Sequence, residues 1–250
     1  MLSAAIKDKI KATFIHLLVS VILVIASYLL ITQLWYPAPF FKATDVIQIF
    51  ILILIVDLVL GPLLTFVVYK KNKRTLIMDL CVIALLQLSA LAYGLYSVYE
   101  ARPVWIAYIV DRFELVKANE LIDDPEHPMI LPTMGPEYRY VDITTSSASE
   151  QLEIFTTETT YGINPIQRPK FYRDFTEAQP LIIKRSLTLD NLDKYNDGSQ
   201  VEAVLQAYPS ADSFLPLVAS TDMTVLIDKQ AGGSVVAVVD LRPWSVNDSQ

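Results

Sequence analysis

Two carboxylates stand inside apolar runs, Asp57 within Val46 to Tyr69 and Asp79 within Leu76 to Tyr99. Two carboxyl groups that share one proton can activate water, the chemistry of an intramembrane aspartyl peptidase, but only if they approach closely. Counted along two helices, Asp57 lies ~18 Å from the Tyr69 end and Asp79 ~5 Å inside its own run, so their depths differ by ~13 Å. No Gly-x-Gly-Asp signature accompanies either residue. The other reactive residues are as sparse. His16, His127 and the single Cys81 cannot compose a zinc cluster, and Cys81 lies in an apolar stretch without a histidine partner. His127 has no Gly-x-Ser-x-Gly elbow to serve, and the glycines form no phosphate-cradling loop. The chain is expected to be no enzyme and to carry no cofactor or metal.

What remains is Asp57 as a binding group. An ionised Asp at the centre of a bilayer costs at least ~2.5 kcal/mol on insertion scales, so it normally faces protein or water. Gly61 and Pro62 follow within two turns, where Pro removes an intrahelical donor and Gly admits close approach, so a kink is expected there. Gln87 and Ser89 on the third apolar run, and Ser20, Ser27 or Thr32 on the first, are the polar side chains that can reach this depth. Two readings stay open: polar packing inside a helix bundle, or a docking place for a partner, with Asp57, Gly61, Pro62 and Gln87 as its residues. His16 reads as a packed or interfacial histidine.

The elements that must position these residues are helices of membrane-spanning length. About 20 apolar residues cross a ~30 Å hydrocarbon core. Runs at about 12–35, 46–69 and 76–99 meet that requirement, in a chain that is 53% hydrophobic. Residues before Glu100 carry eight basic and four acidic side chains, net +4, against a formal total of -7, so the remainder carries -11. An acidic outer part argues against a nucleic-acid partner. Lys70, Lys71, Lys73 and Arg74 crowd a short loop. With Lys7, Lys9 and Lys11, they set the topology by the positive-inside rule: N-terminus and basic loop cytoplasmic, the chain after the third run outside. Asp79 is within reach of Lys73 or Arg74 for an interfacial ion pair. Trp35, Tyr36, Tyr93, Tyr96 and Tyr99 belong at the lipid interface, and Pro37 to Phe41 forms a stiff aromatic turn. Membrane lipid is thus one expected partner.

Residues 1–100 therefore read as a three-helix transmembrane region and 101–250 as one α+β domain. Its sequence predicts a long strand over 104–116, a loop at 123–128, and strands at 138–143, 152–157 and 181–185. Helices are predicted at 188–195 and 199–207, the latter with Ser199 and Glu202 at capping-box spacing. A β-hairpin over 223–228 and 234–241 turns through Ala231-Gly232-Gly233. A lone cysteine provides no internal disulfide, so the domain must be held by its own core.

The order Asp57-Leu-Val-Leu-Gly61-Pro62-Leu-Leu-Thr-Phe66, the basic loop, Asp79 through Gln87 to Gly94, Ala101-Arg102-Pro103-Val104 and Asp111-Arg112-Phe113 resembles the type IV pilin accessory proteins of the TfpX/TfpZ family. The likeness is densest over residues 45–116. It continues more thinly at Gly135-Pro136 and Gly162 to Tyr172, with Met134 where an aromatic residue or threonine is expected. The resemblance implies a protein of a Gram-negative inner membrane with a periplasmic C-terminal domain. It also implies a chaperone or assembly modulator for a cognate type IV pilin, contacting that subunit's transmembrane helix and globular head. The alternative is a membrane-anchored periplasmic sensor or scaffold for envelope components, whose spans serve only as an anchor.

Overall fold

The computed structural model describes residues 4–144 and 146–245; the first three residues of the basic lead lie outside that set. The chain divides into two compact units. One holds the chain up to Pro37 and Asp45–Glu100, the other holds Ala38–Thr44 and the chain from Ala101 onward.

The first unit consists of three helices long and apolar enough to cross a membrane, Ala5–Trp35, Val46–Val68 and Leu76–Glu100. Helix α1 (Ala4–Leu30) runs into a π-helical turn, Ile31–Trp35. The second span joins α3 (Val46–Ile55) to α4 (Gly61–Val68) through another π-helical turn, Val56–Leu60, with the short α2 (Phe40–Ala43) preceding it in the chain. The third is α5 (Leu76–Glu100). Side chains such as Val67, Ile77 and Leu85 are exposed, as expected where lipid is the solvent.

The kink expected at Gly61-Pro62 takes the form of that wider turn. Pro62 has no N–H to give to the preceding turn, and the Gly61 N–H bonds five residues back to Val56 O, so the helix widens without breaking. Asp57 sits inside it.

Spans one and three each pack on span two but barely on each other. At one end they are drawn together, since Tyr36 Oη donates to Val98 O at 2.9 Å and Trp35 meets Tyr99 edge-on, ring centroids 5.2 Å apart. At the other end Lys71 pairs with Asp8 at 3.3 Å and Lys73 with Asp79 at 2.6 Å, so the basic lead and the basic loop share that end.

The second unit is built on an eight-stranded mixed sheet among the described residues. Its strands are β1 (Pro103–Ile109), β2 (Arg112–Lys117), β3 (Glu137–Val141), β4 (Tyr172–Arg173), β5 (Leu187–Thr188), β6 (Ser213–Val218), β7 (Met223–Asp228) and β8 (Ser234–Val239). The order is β4-β3-β1-β2-β6-β7-β8, with β5 on β6; β1/β3 and β2/β6 are parallel. Strand β1 is buried along its whole length, because alternate residues feed two cores. Ile106 and Tyr108 join Phe113, Leu215, Val225 and Ile182 on one face, while Trp105, Ala107 and Ile109 join Val141, Ile166 and Phe171 on the other. Phe40 and Ala43 enter the first of these cores, so the turn between spans one and two is part of this unit. Thr221 N donates to Ala43 O at 3.0 Å, and Lys42 pairs with Asp240.

Several predicted elements change. The long strand over 104–116 is a hairpin, turned at Val110, whose φ of 55° reverses the chain. Residues 152–157 lie in helix α6 (Ala148–Tyr161): a Ser147–Glu150 capping box starts it and Gly162 at φ 66° ends it, and these outweigh the β-branched residues between. The strand expected at 181–185 is helix α7 (Gln179–Arg185), begun by Pro180 in its first turn. Residues 189–194 form a 3-10 helix after β5. Helix α8 (Gly198–Ala207) is capped by Asp197, which accepts from Ser199 N, and not by Ser199 itself. The strand predicted at 138–143 is β3, which ends at Val141, and the loop at 123–128 stands where predicted. The C-terminal hairpin is present with its second strand ending at Val239.

Candidate functional site

Depth alone brings residues of three helices to one level. Span two runs against spans one and three, so a residue twelve places from Tyr69 meets one about twelve places into α5. That residue is Gln87. Its Nε2 lies 3.4 Å from Asp57 Oδ1 and 3.5 Å from Asp57 O, two long hydrogen bonds. Gly61 makes the approach possible, since a Cβ there would stand 2.0 Å from Gln87 Nε2. Pro62 is buried beside it and is not among the residues that line the cavity at Asp57.

Asp57 is 3% exposed, and its Oδ2 is buried with no hydrogen-bond partner among the described residues. It lines a cavity of about 130 Å³. Span one forms one wall with His16, Val19, Ser20 and Leu23; span three forms the other with Ala84, Gln87, Leu88 and Leu91. Both sets follow the helical i, i+3, i+4, i+7 spacing, so each wall is one continuous helix face. A second cavity, about 570 Å³, shares His16, Val19 and Ala84 with the first and widens toward Asp8, Lys11, Tyr69 and Lys71. The two form one cleft between spans one and three. Span two floors it, and the narrow end points toward the end where Trp35 and Tyr99 meet.

Ser20 lines this cleft, whereas Ser27 and Thr32 bond back to the carbonyls of Leu23 and Tyr28. His16 is the residue sequence reasoning undervalued. Its Nδ1 is 2.6 Å from Thr65 Oγ1, which ties span one to span two at the cleft wall. The signal was available, because both lie four residues inside their runs. Of the basic loop, Lys71 and Lys73 are engaged with Asp8 and Asp79.

In the second unit, His127 and Asp124 pair at 2.9 Å on an exposed loop. Among the described residues no group of three or more His, Cys, Asp or Glu is placed to hold a metal ion.

Relatives of this chain are found among fimbrial proteins. A family profile described as fimbrial assembly protein FimB matches residues 4–44. The serogroup E1 fimbrial assembly protein of Dichelobacter nodosus is 28% identical over 248 residues, covering 92% of this chain and 95% of that protein. The serogroup I protein of the same organism is 29% identical over 250 residues with the same coverage. That of serogroups C1 and C2 is 37% identical over 118 residues, 46% of this chain and 88% of that protein. No solved structure matches. On these likenesses the chain belongs to the fimbrial assembly protein family.

Proposed function

We propose that this protein serves fimbrial biogenesis as an inner-membrane accessory chaperone, which binds and stabilises a cognate type IV pilin and modulates its assembly. The apolar helix of the pilin lies in the cleft between spans one and three while the periplasmic domain contacts its globular head. The N-terminus and the basic loop face the cytoplasm, in keeping with their positive charge. The names of the relatives support the process, and the resemblance to the TfpX/TfpZ proteins supports the pilin as client.

The observation that carries the reading is the cleft itself. A three-helix anchor needs no wall-to-wall gap with a carboxylate on its floor. Burying such a group in an apolar bundle is costly and marks a functional site by default. Lipid chains gain nothing from an Asp, whereas a client helix can meet it and leave again.

Replacing Asp57 by Leu tests this in cells. Pilin level and surface piliation should both fall while the accessory protein remains in the membrane at its normal amount. Wild-type pilin level and piliation in the Asp57→Leu strain would contradict the role of the cleft.

A further inference from the structure

The face that span one turns to the wide mouth of the cleft changes character along its length. Asp8, Lys11, Ile15 and Val19 follow at three- and four-residue spacing, so this face is charged at Lys11 and apolar ~12 Å further in, at Val19. Span three continues the apolar part with Leu80 and Ala84. A polar end joined to an apolar track matches an amphiphile. We propose that the mouth binds one anionic phospholipid from the leaflet on the side of the basic loop, its phosphate held by Lys11, Lys71 and the Tyr69 hydroxyl.

Six polar side chains line the mouth, and four of them are engaged with one another. His16 Nδ1 lies 2.6 Å from Thr65 Oγ1, and Lys71 pairs with Asp8 at 3.3 Å. Lys11 and the Tyr69 hydroxyl have no hydrogen-bond or ion-pair partner among the described residues. The Lys71–Asp8 contact is long for a charge-assisted bond, and the Lys71 side chain is 68% exposed, so two of its three ammonium donors remain for a ligand. With His16 neutral, two ammonium groups against one carboxylate leave the mouth net positive by one charge, the complement of a phosphodiester. Lys9 does not contribute, because its Nζ lies 3.4 Å from Val67 O and 5.4 Å from the centroid of the Phe66 ring.

Size and depth fit the same ligand. The cavity measures about 570 Å³, against about 130 Å³ beside Asp57, which is room for a glycerophosphate and the start of an acyl chain. Lys71 stands three residues beyond Val68, the end of span two, and so lies at headgroup level. Ile15 and Val19 are about half exposed, so the mouth opens sideways and the chains can leave it into the bilayer. Asp57 does not line this cavity, and the lipid need not meet the buried carboxylate. A free phosphate ion has no use for the apolar track. An ethanolamine headgroup would bring an ammonium group to a mouth whose one carboxylate is already taken by Lys71.

The test places the full-length protein in phosphatidylcholine nanodiscs containing phosphatidylglycerol or phosphatidylethanolamine with the same acyl chains. Lipid that stays bound after transfer to detergent is counted by native mass spectrometry. One phosphatidylglycerol should be retained, with roughly tenfold preference over phosphatidylethanolamine. Lys11→Gln should weaken retention about fivefold, and Lys11→Arg should restore it. Lys70→Gln, in the basic loop but outside the cavity, should leave it unchanged. Tyr69→Phe removes only a hydroxyl, should also weaken retention, and serves if Lys11→Gln does not fold. Equal retention of the two lipids, retention indifferent to both Lys11→Gln and Tyr69→Phe, or displacement by millimolar inorganic phosphate would overturn the proposal. No client is present in this assay, so its outcome is independent of the docking read at Asp57.

Discussion

Gln87 reaches Asp57 across Gly61: the amide nitrogen lies 3.4 Å from Oδ1, in space that a Cβ on residue 61 would enter. This contact fixes one carboxylate oxygen and leaves the other buried beside the cleft. It also joins the floor of the cleft to one of its walls, so the polar group and the gap around it have one structural origin.

Gly61→Ala is expected to cost little stability, because the atoms a methyl group would meet belong to the end of a flexible side chain. It should nevertheless push Gln87 off Asp57 and lower client binding. Gly94→Ala is the contrasting case. There a Cβ would stand 2.7 Å from Ile53 Cγ1, next to the branch point of a buried side chain, so Ile53 must leave its packed position or α5 must move off α3, at about 1–3 kcal/mol. Thermal unfolding in detergent, with cross-linking alongside, separates the two. Equal destabilisation by both substitutions would count against this account.

Phe40 lies in the turn between spans one and two yet packs in the main core of the second unit, at 6% exposure. Phe40→Ala should destabilise that unit by about 3–5 kcal/mol, the usual cost of removing a buried aromatic ring. A fragment of residues 101–250 should unfold at lower denaturant than the same fragment with residues 38–44 fused to it. Identical midpoints would show that the turn is not part of the core.

Helix α6 contributes no fully buried residue, and Glu153 holds it to Arg168 and Lys170. Hydrogen bonds from Arg168, then Lys170, hold the Glu153 carboxyl below its ordinary range. For a carboxyl whose folded value is depressed, the stabilisation is present above its unfolded value and is lost as pH falls through the folded one. Protection of the α6 amides, taken relative to the intrinsic exchange rate at each pH, should therefore fall on acidification ahead of protection in β1 and β7. Glu153→Gln should remove that pH dependence and raise exchange at neutral pH. Acid-independent protection of α6 would contradict the ion-pair account.

Much of the site was legible by counting. Depth places Asp57 level with Gln87 and separates it from Asp79, and the Lys73–Asp79 pair follows from reach alone. The π-helical turn was not legible, because a missing proline donor can be met by a kink or by a wider turn. Residues 152–157 and 181–185 misled because β-branched and apolar content outweighed the caps at Ser147, Gly162 and Pro180, which decide short helices. The burial of Phe40 depends on partners such as Tyr108 and Val225, far along the chain, which local pattern cannot show.

The central claim is that a client helix lies between spans one and three, over Asp57. A photo-reactive residue at position 88, on the wall of the cleft, tests this most directly in living cells. The account predicts that it captures pilin, that a probe at the exposed Leu85 on the same helix captures far less, and that Asp57→Leu abolishes capture at 88. Equal capture at 85 and 88, or capture at 88 that is indifferent to Asp57, would contradict it.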